Sequence, residues 1–212
     1  MNWRSRPLDS VRLGRDQLFW LVAGLILLVY ALVVLDTLQF VITLVGLLLA
    51  VTVHECAHAW SADRLGDPTG RNQGRVSLNP LVHLDPLGSI MMVVTALTGM
   101  GIGWGKPVPV ATYRLRYGPY VGHGLVSLAG PVANLLLGGV FALVTRVVGP
   151  AGWLYAALTI LAWVNIIIAF FNLLPIPPLD GFGVLIGLVS LLGGRTAAPT
   201  LRALMGLERY GS

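Results

Sequence analysis

Charge is scarce in this chain. Of 212 residues only 11% are Asp, Glu, Lys or Arg, while 56% are hydrophobic. A water-soluble domain carries about 25% charged residues. The composition therefore excludes a soluble globular protein and indicates an integral membrane protein. Cysteine is scarcer still: Cys56 stands alone, so no internal disulfide can form. Only two glutamates occur, Glu55 and Glu208. No tandem repeat, low-complexity tract or long polar insertion breaks the apolar runs, so an appended regulatory or peptide-binding domain is not expected. The net charge of +5 does not point to nucleic acid. The basic residues cluster in the breaks between apolar runs, where membrane topology is written.

What is present is a series of apolar segments. Residues 1–16 are polar and basic, with Arg4, Arg6, Arg12 and Arg15. A first span is expected over 17–36, near the roughly 20 residues that a bilayer core requires. No clear small-residue cleavage site follows it, so it reads as a retained helix rather than a signal peptide. A second helix over 38–63 stops at Gly66 and Pro68. A polar loop covers 67–86, and 87–103 is apolar again but short and laced with Gly and Thr. The prolines of "GWGKPVPVATYRLRYGP" deny it a helix and suit an extended or edge strand. Helices are expected over 121–148 and 151–174. "NLLPIPPLDGFG" then breaks the chain before a last apolar segment over 182–193.

The expected fold class is an all-α polytopic membrane protein with about five to six transmembrane or re-entrant segments. A short extended or β-hairpin element is expected between the second helix and the next full span. The chain reads as one domain, 1–212, with its core over 38–190 and a weakly amphipathic tail over 195–212. The arginines before the first span put the N-terminus in the cytoplasm of a multi-pass cell-membrane protein. If 87–103 dips in and returns, Lys106, Arg114 and Arg116 join Arg64, Arg71 and Arg75 on that side. "PLDG" then lies on the same face as "HECAH".

The chemistry begins at "HECAH", residues 54–58. His54 and His58 are four residues apart and share one helix face, where both can bind one metal ion. Glu55 lies beside that ion and can deprotonate a water whose pKa zinc lowers to about 7. Ionisable groups in a spanning segment cost at least about 2.5–3.5 kcal/mol, which three such groups at one spot must recover through a partner. Catalytic zinc usually has three protein ligands. Asp180, Asp85, His83, His123 and Glu208 are the candidates for the third. Topology favours Asp180, because it returns to the same membrane face.

These pieces together resemble the site-2 protease family of intramembrane zinc metalloproteases, in its compact branch. The matching stretches are "HECAH" at 54–58, "SLNPLVHLDPLGS" at 77–89, "GWGKPVPV" at 103–110, "AGPVAN" at 129–134 and "NLLPIPPLDG" at 172–181. The resemblance implies one Zn2+ per chain, held by His54, His58 and Asp180, with Glu55 as general base. It also implies that Asn134 faces the site to hold the scissile peptide or its oxyanion. A helix–helix hydrogen bond is the alternative for Asn134. Asn79, His83 and Asp85 match the branch as supports of the ligands or braces of the loop.

The implied activity is zinc-dependent endoproteolysis in or near transmembrane segments. The implied partners are a membrane-spanning protein substrate and the lipid bilayer, with no nucleic acid. A buried substrate helix must unwind before hydrolysis, and "GKPVPVAT" could pair with the opened segment as an added strand. The alternative is a metal-ion transporter using the same cluster, although such proteins often show internal pseudo-symmetry.

Overall fold

In the computed structural model of the chain, residues 14–34, 37–101, 103–193, 198, 200–204 and 206 are described. The residues that carry the expected basic N-terminus (Arg4, Arg6, Arg12) and the expected tail (Arg195, Glu208) lie outside them. Two compact units are distinguished, 1–37 and 38–212. The first contains α1 (Arg15–Val34), a twenty-residue helix overlapping the segment expected over 17–36. Its Leu18, Phe19, Trp20, Leu25 and Ile26 are exposed, as suits a lipid-facing surface.

The second unit is built on α2 (Thr37–Arg64), α5 (Gly118–Val148) and α6 (Gly152–Asn172), each long and apolar enough to cross a membrane. The protein is an all-α polytopic membrane protein. Between α2 and α5 lie a single turn of helix, α3 (Thr69–Asn72), a 3-10 turn at Pro80–Val82, and α4 (Pro86–Thr98). Thirteen residues reach about 20 Å, so α4 is too short to cross a hydrocarbon core of about 30 Å unaided. A short helix, α7 (Asp180–Leu192), follows α6.

Local chemistry sets these boundaries. Asp85 caps α4 by accepting the Gly88 amide at 2.8 Å, with Pro86 in the first turn. Gly99 ends the helix at φ +69°, a conformation that costs glycine no steric penalty. The expected extended or β-hairpin element forms no strand among the described residues. Residues 103–111 contain no strand, and one isolated antiparallel bridge, Leu84 to Gly105, ties them to the loop. Pro107 and Pro109 explain this, since neither can donate to a ladder.

Helices in lipid gain little from expelling water and associate mainly through close packing and hydrogen bonds. One core joins Leu47 and Val51 of α2 to Met92 and Ala96 of α4, with Val164 and Ile168 of α6 against them. A second joins Phe182 and Ile186 of α7 to Leu201 and Tyr120. Helix α5 packs against both α6 and α7. A Cβ on Gly124 would lie 3.0 Å from the Gly187 Cα, so α5 and α7 touch backbone to backbone. Gly183, one turn earlier on α7, sits against the Ser127 side chain. This contact brings the first residue of α7, Asp180, to the middle of α2.

Candidate metal centre

His54, Glu55 and His58 lie inside α2, more than one turn before its last residue, Arg64. Both imidazoles are buried. The His54 Nε2 lies 2.9 Å from the Asp180 Oδ2, and the His58 Nε2 lies 3.3 Å from the same oxygen. One ligand atom from each residue lies within 4.8 Å of the other two. Among the described residues this is the only such group of three. Asp180 is therefore the expected third-ligand candidate that the fold brings to the histidines. Asp85 caps α4, and Glu208 lies outside the described residues.

The outer ring nitrogens decide what the inner ones can do. The His54 Nδ1 faces the Asn134 Oδ1 at 2.6 Å, and the His58 Nδ1 faces the Val126 carbonyl at 2.7 Å. Both partners can only accept, so each Nδ1 carries the proton and donates. Each Nε2 is then left with a lone pair, and both lone pairs converge on one carboxylate oxygen. A cation between them reconciles three donors that otherwise repel, and the His–His–Asp set suits a divalent metal with an open position. Gly130 on α5 keeps this space clear. A Cβ there would lie 2.5 Å from the His58 Nε2 and 2.7 Å from the His54 Nε2.

The other expected site residues fall into two groups. Glu55 lines a cavity of about 540 Å³ together with the three candidate ligands, Trp104, Pro107 and Val108. It makes no hydrogen bond or ion pair among the described residues. His123 also lines this cavity, and with Ser127 it lines a second cavity of about 170 Å³ that adjoins Asp180. Asn79, His83 and Asp85 brace the loop. Asn79 accepts the Leu81 amide at 3.1 Å, and the His83 Nε2 pairs with the Ser77 carbonyl at 2.8 Å.

Asn134 makes hydrogen bonds between helices, the alternative to holding substrate. It is fully buried. Its amide nitrogen donates to the Ala50 carbonyl at 3.0 Å and to the Asn165 Oδ1 at 2.9 Å. Neither N–H is left for an oxyanion. Asn165, Gly130 and Asn172 were not singled out from sequence. Asn172 lines the large cavity. An Asn in an otherwise apolar span and a Gly-Pro pair inside a helix were the available signals.

The extended segment lies against the site. A Cβ on Gly105 would lie 2.7 Å from a Val51 methyl and 3.1 Å from the Glu55 Cγ. The segment is tied down on one side. The Lys106 amide donates to the His83 carbonyl at 2.7 Å, and the Ala111 amide to the Asp67 Oδ2 at 2.6 Å. The buried Arg75 guanidinium bonds the carbonyls of Val82 and Lys106. Burial lowers the Arg75 pKa, and the charge of Glu55 opposes that shift. The amides of Gly105, Val108 and Val110 carry no hydrogen bond among the described residues.

The pattern of peptidase family M50 matches residues 149–206. The chain is 42% identical over 177 residues to "Putative zinc metalloprotease YwhC" of Bacillus subtilis, covering 79% of this chain and 74% of that protein. It is 34% identical over 149 residues to "Putative zinc metalloprotease Rip2" of Mycolicibacterium smegmatis, covering 69% of this chain. There it spans 56% of the relative's length, just over half. "Putative zinc metalloprotease MJ0611" of Methanocaldococcus jannaschii is 30% identical over 148 residues, covering 70% of this chain and 71% of that protein. No solved structure matches the chain.

Proposed function

The chain belongs to peptidase family M50, the site-2 protease family, and from that membership we propose that it is a zinc-dependent endopeptidase cleaving membrane-protein substrates within or beside their transmembrane segments. The observation that carries the reading is the convergence of His54, His58 and Asp180 beside Glu55 on an apolar cavity. His54, His58 and Asp180 hold one zinc ion in this proposal. Zinc so held would supply a water of lowered pKa and polarise the scissile carbonyl.

The remaining work falls to the chain's own groups. The Glu55 carboxylate takes a proton from the attacking water and later gives it to the leaving amine. Val51, Trp104, Val108, Val164 and Ile168 line the cavity and suit an apolar segment. A substrate helix hides its amides in its own hydrogen bonds and must open first. The segment 103–111 offers the opened strand an edge beside Glu55, supported by its unbonded amides. The second cavity, lined by His123 and Ser127 beside Pro178 and Leu179, adjoins Asp180. The arginines of the first sixteen residues favour a cytoplasmic N-terminus in the cell membrane.

The test is reconstitution with a membrane-spanning model substrate, comparing wild type with Glu55→Gln. Zinc content should be unchanged and cleavage should fall by roughly 10²–10⁴-fold, the contribution of a general base. Undiminished cleavage by the variant overturns the Glu55 assignment. Metal flux across the liposomes without any cleavage favours the transporter.

A further inference from the structure

We propose that Asn165 is a positioning residue that fixes, through Asn134, which nitrogen of His54 faces the metal. The inference rests on the zinc reading above. Three helices contribute one polar group each: Asn165 from α6, Asn134 from α5 and His54 from α2. Both asparagines are 0% exposed in a region packed with apolar side chains. An unpaired amide there is costly, so the hydrogen-bond accounting must close.

It closes in one way only. The Asn165 Nδ2 donates to the Leu161 carbonyl one turn back at 2.9 Å, which turns its Oδ1 toward α5. That oxygen can only accept, and it accepts from the Asn134 Nδ2 at 2.9 Å. The second N–H of Asn134 goes to the Ala50 carbonyl at 3.0 Å. Both hydrogens of Asn134 are then spent, and its Oδ1 must face His54. His54 meets that oxygen at 2.6 Å and has to present an Nδ1–H. Its Nε2 lone pair is left for the metal.

A flipped Asn134 would press its oxygen against two other oxygens. It would also present N–H to Nδ1, driving the His54 proton to Nε2, the atom that ligates. The chain of amides thus holds His54 in the one tautomer that can bind zinc from this face. Groups that support a ligating histidine in this way typically alter metal affinity when removed.

The experiment measures zinc affinity by chelator competition in purified full-length protein, together with 15N-histidine spectra of the zinc-loaded wild type. Only four histidines contribute to those spectra. Wild type should show His54 protonated at Nδ1 and ligated through Nε2. Asn134→Leu should weaken zinc binding about 10–100-fold, and Asn165→Leu by up to about tenfold, since Ala50 still holds Asn134. The double variant should match Asn134→Leu alone, because Asn165 acts through it. A purely packing role would instead make the two losses multiply.

Multiplying losses, or Asn165→Leu affinity within twofold of wild type, overturns the proposal. So does His54 ligated through Nδ1, a measurement on wild type that does not depend on any variant folding. Wild type that binds no zinc overturns the metal reading itself, a result distinct from these.

Discussion

Gly130 shows how little room the centre has. Its Cα faces the two Nε2 atoms, and an alanine methyl would stand at 2.5–2.7 Å from them, where an ion would sit. Gly130→Ala is expected to lose bound zinc, with cleavage lost in step and helical content unchanged. Elemental analysis beside circular dichroism checks this, and full zinc occupancy in the variant refutes the assignment of the space. The histidine spacing was legible in the sequence because it lies within one helix, where four residues always return a side chain to the same face. The contribution of Gly130 was not. It depends on how far α5 is rotated and shifted against α2, and no local pattern in "AGPVAN" encodes that register.

At the scale of elements, the loop after α2 and the crossing of α5 with α7 carry separate consequences. Asp67 is fully buried and pins the end of the extended segment. Burial alone would raise its pKa. The Thr69 hydroxyl, the amides of Ala111 and Thr69, and the charge of Arg114 outweigh this and hold it below the usual carboxylate range. A folded pKa below the unfolded one means stabilisation that is complete above the unfolded value, near 3.9, and lost as pH falls through the folded value. Asp67→Asn should therefore cost about 1–3 kcal/mol at neutral pH. The gap to wild type should close as pH drops below about 4. Thermal midpoints in detergent across that range test it, and a gap independent of pH contradicts it.

The α5–α7 crossing leaves no space for a side chain at Gly187. Gly187→Leu should destabilise the protein by about 1–3 kcal/mol through overpacking. It should also weaken zinc binding, because Asp180 rides on the same short helix. Unaltered zinc affinity in a folded Gly187→Leu protein would show that the crossing does not position Asp180. Element existence was readable from span length and apolar composition, and α2, α5 and α6 fall close to the expected ranges. The absence of helix over 103–111 was readable from the segment's prolines. Its pairing was not, because the partner groups sit in an irregular loop, at the His83 carbonyl and the Arg75 guanidinium.

For the whole molecule, the apolar cores and the ion site are distinct sources of stability. Leu47, Met92 and Phe182 pack without reference to any ligand. Removing zinc with a chelator should abolish cleavage while leaving the helices formed. Stability should fall by no more than about 4 kcal/mol, the linkage expected for an ion present at 1,000 times its Kd. Global unfolding on chelation would mean that the ion, not the helix packing, holds the fold. The membrane character was legible from the shortage of charge, and the helical architecture from the length of the apolar runs. The meeting of residues far apart in sequence was legible only through topology and the family resemblance.

Asp180 stands 126 positions after His54. A chain threaded into the bilayer from its N-terminus would therefore carry two of the three proposed ligands long before the third is synthesised. The nascent protein would stay inert while it passes among other inserting polypeptides, and would be armed only when its seventh helix docks. The order of donors along the chain would thus serve as a safety catch.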